Sequence, residues 1–213
     1  MTLALSWSGG KDSALSLWAL RRAGTPPDVL LTVVDEDSGR VAHHGVPREL
    51  LRAQAAAAGV ELTTVAVPAG AANDVYEARL RAALERVDAV AFGDLFLADL
   101  RAYREERMAA AGKAARFPLW GADTPALAAE FVAAGFRALI VSVDGERLPH
   151  DFLGRELDAA LLAALPPGVD PCGENGEFHT FVFDGPVFGA PLAVRPEGRR
   201  ADARFAWLEL APA

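Results

Sequence analysis

At 213 residues the chain has room for one large domain or two small ones. It is 52% hydrophobic, ample for a substantial core, and its formal charge of −8 argues against sequence-independent binding to a nucleic-acid backbone, though not against one basic groove. A single cysteine, Cys172, excludes an internal disulfide and a zinc site of ordinary cysteine spacing.

Leu3-Ala4-Leu5 reads as a short buried strand, too short for a signal peptide or a membrane span. Ser8-Gly9-Gly10-Lys11-Asp12-Ser13 then leads into the apolar helical run from Ala14 to Leu20. The glycines permit a sharp turn and close approach of a ligand, since no Cβ stands in the way. Asp12 and Ser13 are suited to cap the helix, and the helix start offers unpaired N–H groups to an anion. Lys11 adds a mobile positive charge, and lysine otherwise occurs only at position 113. The stretch is built to hold phosphate. It is not a Walker loop, because Leu5 stands where that motif needs Gly and Asp12 follows the lysine.

After the break at Gly24-Thr25-Pro26-Pro27, Val29–Val34 is predicted as a buried parallel strand. A polar loop, 35–45, carries His43 and His44. A helix over 48–58 opens at Pro47 and stops at Gly59. Leu62–Val67 is the third strand. A helix capped by Asn73 or Asp74 runs to about Val87, and Ala89–Phe92 is a fourth strand ending at Gly93-Asp94. Strands alternating with helices at this spacing predict an α/β doubly wound parallel sheet whose ligand sits past the strand ends.

Leu97–Gly112 reads as a charged helix, followed by a turn or edge strand at Phe117-Pro118-Leu119-Trp120. Further predictions are a helix over 123–134, a strand over 138–143 and a helix over 153–165. The expected division is 1–120, which carries the phosphate-holding stretch, and 121–213, a smaller α+β domain. A second signature is Cys172-Gly173-Glu174-Asn175-Gly176-Glu177-Phe178-His179-Thr180. Strand alternation predicts Glu177 and His179 on one face with Phe181 and Phe183, and Phe178, Thr180 and Val182 on the other. A Glu and a His at the mouth of a strand can bind a polar substrate or pass a proton, or merely be solvated.

The stretch from Ser8 to Ser13 resembles the SGGxDS pyrophosphate loop (PP-loop) of the ATP pyrophosphatases, which have the HUP-type α/β fold. Together with Gly93-Asp94, Phe117–Trp120 and Gly173-Glu174-Asn175-Gly176-Glu177, it resembles the diphthine–ammonia ligase family over nearly the whole chain. That resemblance implies an enzyme that uses ATP, with Mg²⁺, to adenylate a carboxylate acceptor and then transfers ammonia or an amine, releasing AMP and pyrophosphate. It implies that Ser8, Gly9, Gly10 and Ser13 hold ATP phosphate and that Lys11 neutralises the leaving group. Asp12 caps the helix or helps hold Mg²⁺. Adenine is expected against Val33 and Val34, near Gly93 and Asp94. Glu174, Asn175, Glu177 and His179 form the expected acceptor or ammonia site, with His44 a weaker member. His179 stands where diphthamide-making members carry an acidic residue, and the alanine- and arginine-rich composition resembles that of bacteria, which do not make diphthamide; the acceptor is therefore expected to differ.

Two other classes compete: a PP-loop transferase such as a tRNA-modifying thiolase, which usually uses a cysteine pair and a basic surface, and a non-catalytic nucleotide-binding module. The expected setting is cytoplasmic, with no membrane or nucleic-acid partner, and homo-oligomerisation is left open.

Overall fold

The computed structural model describes residues 1–42 and 44–213, with the side chain of Asn73 outside that description. His43 lies outside the described residues. Among them the chain forms two sheets. The first is parallel, in the order β3-β2-β1-β4-β5, from β1 (Leu3–Ser6), β2 (Val29–Asp35), β3 (Glu61–Val67), β4 (Ala89–Ala91) and β5 (Ala114–Arg116). The second is antiparallel, in the order β7-β6-β9-β8, from β6 (Arg137–Asp144), β7 (Phe178–Asp184), β8 (Val194–Ala201) and β9 (Phe205–Pro212). The α/β doubly wound expectation holds.

Strand alternation divides the parallel sheet's side chains between two cores, as burial on both faces requires. Leu3, Leu5, Leu30, Val34 and Ala91 pack with the helices α1 (Lys11–Arg22) and α2 (Arg48–Ala58). Ala4, Leu31, Val65, Val90 and Phe92 face the other way, toward α3 (Asn73–Ala83) and α4 (Ala98–Ala110). The first core continues without a break into the antiparallel sheet through Ile140, Phe178, Phe181 and Val182. The order of strands reverses between β1 and β4, and the turns leaving those two strands meet at that switch point.

Several elements differ from expectation. Gly10, not Asp12 or Ser13, takes the N-cap position of α1, and the Ser13 hydroxyl donates back to Gly10 O at 2.8 Å. Ala72 precedes α3 at its N-cap, and α3 ends at Ala83. The helix expected over 153–165 shrinks to α6 (Ala159–Ala164), capped by Asp158 through Leu161 N–H at 2.7 Å. The preceding residues run along β6 instead: Ile140 N–H donates to Arg155 O and Leu157 N–H to Ala138 O. The helix over 123–134 is α5 (Thr124–Ala133), with Asp123 accepting from Ala126 N–H and Pro125 in its first turn.

Candidate active site

The phosphate loop lies under β7. Val182 N–H donates to Gly9 O at 2.9 Å, and Lys11 N–H donates to Thr180 Oγ1 at 3.0 Å. Gln54, fully buried on α2, ties the same pieces together: its Nε2 donates to Gly9 O and Val182 O, and its Oε1 accepts from Trp7 Nε1. The second signature is thereby set directly on the first. α1 begins at Lys11, so Asp12 and Ser13 carry N–H groups for which the helix itself has no acceptor. The Ser8 hydroxyl accepts from Gly10 N–H at 3.3 Å.

Lys11 is not the mobile surface charge expected. It is 3% exposed, its Nζ lies 2.8 Å from both carboxylate oxygens of Asp12, and it faces the Phe178 ring. Burial acts to lower its pKa, but the charge and hydrogen bond of Asp12 above all outweigh that and raise it, so the side chain is an ammonium. A methyl group at Gly93 would lie 3.1 Å from the backbone carbonyl of Asp12, so the end of β4 needs glycine to let the phosphate loop approach. Asp94 is 8% exposed and is held by Arg104 at 2.5 and 3.2 Å, with the guanidinium also over Phe92.

Glu174 reaches across to this strand end, where its Oε1 accepts from Leu95 N–H at 2.7 Å. Burial, aided by the neighbouring Asp12, pushes its carboxyl up to about 7 against the opposing pull of Leu95 N–H and Lys11. It can therefore exchange a proton near neutral pH. Glu177 is buried: its Oε1 accepts from Asp170 N–H and Asn175 Nδ2, while its Oε2 is buried with no hydrogen-bond partner among the described residues. His179 meets His44, with ring centroids 4.6 Å apart, and His44 Nδ1 lies 3.1 Å from Thr180 O. A methyl group at Gly10 would lie 2.8 Å from His44 Cε1, so this histidine pair borders the phosphate loop.

Val33 and Val34 do not share a site. Val33 lines a cavity of about 90 Å³ with Ser6, Tyr76, Phe92 and Arg104, whereas Val34 is buried in the opposite core. Successive residues on a strand must point to opposite faces, which removes Val34 from the expected adenine contact. The Cys172 thiol is buried, donates to Thr124 O, and is pushed up to about 12 by desolvation.

Sequence reasoning missed Gln54, Thr180 and Asp170. Gln54 had a readable signal, since it lies on the apolar face of α2 between Leu50, Leu51 and Ala58. Asp170, whose Oδ2 accepts from Glu174 N–H at 2.8 Å, had none.

A parallel α/β sheet with the glycine-rich loop 8–13 at its switch point, covered by a second, antiparallel sheet, frames the candidate site. Residues 1–112 match the diphthamide synthase N-terminal domain and residues 123–210 the diphthamide synthase C-terminal domain. The chain belongs to the diphthamide synthase family. It is 33% identical over 81 residues to the diphthine–ammonia ligase of Danio rerio, a match covering 36% of this chain and 32% of that protein, so the chain matches about a third of that relative's length. A solved structure described as a predicted subunit of tRNA methyltransferase from Methanocaldococcus jannaschii is 16% identical, with a TM-score of 0.49 over 87% of this chain and 98% of that one. No helix among the described residues is long and apolar enough to cross a membrane.

Proposed function

We propose that this chain is an ATP-dependent carbon–nitrogen ligase that adenylates an acceptor carboxylate and transfers ammonia to it, releasing AMP and pyrophosphate. The observation that carries the reading is the 2.7 Å bond from Leu95 N–H to Glu174 Oε1, which sets a carboxyl of raised pKa at the strand end where Gly93 abuts Asp12 of the loop. Residues 1–120 would form the nucleotide half and 121–213 the acceptor half.

In this reading Ser8, Gly9, Gly10 and Ser13 cradle the phosphates. Lys11 turns from Asp12 toward the pyrophosphate as negative charge builds there. Asp12, the one carboxylate on the loop, has a side chain 31% exposed and would hold Mg²⁺ through oxygens that the ammonium frees. Val33 and the Phe92–Arg104 stack border the adenine, with Gly93 and Asp94 at the strand end.

The acceptor carboxylate attacks the α-phosphorus, and the α–β phosphoanhydride bond breaks to release pyrophosphate. Ammonium loses a proton to Glu174, and the ammonia formed attacks the acyl carbon and expels AMP, whose phosphate takes the second proton from nitrogen as the C–O bond breaks and the amide forms. Glu177 and Asn175, bonded to each other, fix the turn that carries Glu174. His179 and His44 border the phosphate loop on the acceptor side. A thiolase is disfavoured by the buried Cys172 thiol, which stays protonated at neutral pH.

The test is pyrophosphate release from ATP and Mg²⁺ with ammonium and a panel of carboxylic acids. Release that requires both acid and ammonium supports the reading. Nucleotide binding with no release under any combination supports a non-catalytic module instead.

A further inference from the structure

Strand register in the antiparallel sheet aligns four residues from four strands. Ser142 of β6 pairs with His179 of β7 on one side and with Trp207 of β9 on the other, and Trp207 pairs with Arg200 of β8. Directly paired residues share a face, so the row begins at the phosphate loop and runs outward across the sheet. Two strand spacings separate His179 from Trp207, about 10 Å. The loop after β2 crosses over this row: His44 rests against His179, and a methyl group at Gly45 would lie 3.2 Å from Trp207 Cδ1.

The outer end of the row is a cation on an aromatic ring. The Arg200 guanidinium lies 4.0 Å from the centroid of Trp207, itself half-buried and beside Phe205. Arg204 is matched by Asp144 at 2.6 and 2.9 Å and Arg195 by Glu197 at 2.8 Å, while Arg199 donates to Leu153 O at 3.3 Å. Among the described residues no carboxylate comes within ion-pair distance of Arg200. Stacking fixes the planar guanidinium and leaves its edge to grip a planar anion.

We propose that Arg200 and Trp207 form an anion subsite for the acceptor, which is a small acid carrying a second negative group that lies about 10 Å along the row from His179. The proposal rests on the ligase reading for the word acceptor, and on the sheet alone for the anion. An acceptor with a fixed cation at that end meets the guanidinium where it would need the bare indole face, so charge sign is selected.

The probes are dicarboxylates from succinate to suberate, monocarboxylates of equal length, and ε-trimethylaminocaproate. Two readouts are taken, pyrophosphate release with ATP and ammonium, and quenching of tryptophan fluorescence, with Trp207→Phe identifying the reporting ring. The expected results are a lower KM for a long dicarboxylate than for its monocarboxylate, and a rise of about tenfold in that KM in Arg200→Glu. The same variant lowers the KM for ε-trimethylaminocaproate. Pyrophosphate release that ignores the second charge and the Arg200 substitution overturns the subsite and leaves the ligase reading standing. Dicarboxylate quenching lost in Arg200→Glu, with no pyrophosphate release from any acid, supports the anion subsite while the ligase reading fails. Neither response overturns both.

Discussion

Lys11 N–H donates to Thr180 Oγ1 at 3.0 Å, joining residues 169 apart in the chain. The bond fastens the strand of the second signature onto the first residue of the helix that follows the phosphate loop. Thr180 is 3% exposed, so water cannot replace the hydroxyl if it is removed. Thr180→Val keeps the shape and leaves the Lys11 N–H unpaired, and should cost about 1–3 kcal/mol of stability. It should also weaken ATP binding, because the loop loses one of its ties. Denaturant unfolding and ATP titration of the same variant check this; a variant as stable as the wild type would mean that Val182 and Gln54 hold the loop without Thr180.

Glu174 makes both stability and turnover depend on pH. Its carboxyl stands at about 7 in the folded protein against an ordinary value of 4.5. Between those two values the folded protein keeps a proton that the unfolded chain has released, so stability falls as pH rises through the window. Turnover moves in the opposite direction, because the deprotonated group is the base. Glu174→Gln retains the bond from Leu95 N–H, removes the share of the pH slope of stability that Glu174 contributes, and abolishes the rising limb of the rate profile near pH 7. Unfolding free energies measured from pH 4.5 to 8 in both proteins decide it, and an unchanged slope in the variant removes Glu174 from the account.

Lys11→Met preserves the buried stem and deletes the charge. Turnover should fall by roughly 10²–10³, the usual loss for one preorganised charge. Single-turnover pyrophosphate release is the appropriate assay. A wild-type rate in this variant would make the Lys11–Asp12 pair purely structural.

Much of the N-terminal half was legible from patterns that are local. The parallel strands are continuous apolar runs, and the loop from Ser8 to Ser13 is a contiguous signature. β5 was missed because Ala114-Ala115-Arg116 is short and built largely from a weak strand former. β8 is an edge strand with Pro196, Gly198 and four charged residues, a composition that suits an edge and hides a strand. β9 did carry a period-two signal in Ala206, Leu208 and Leu210, all buried. The Lys11–Asp12 pairing was illegible because it depends on β7 and on Glu174 closing over the loop. The family resemblance assigned both signatures to one enzyme, whereas their meeting through Gln54 and Thr180 is visible only in the fold.

The central claim concerns which phosphate bond breaks. The direct measurement is chromatographic separation of nucleotides after turnover with ATP, Mg²⁺, ammonium and an accepted carboxylic acid. The account predicts AMP and pyrophosphate in equal amounts, with one amide formed for each AMP. ADP and inorganic phosphate as the main products would contradict it.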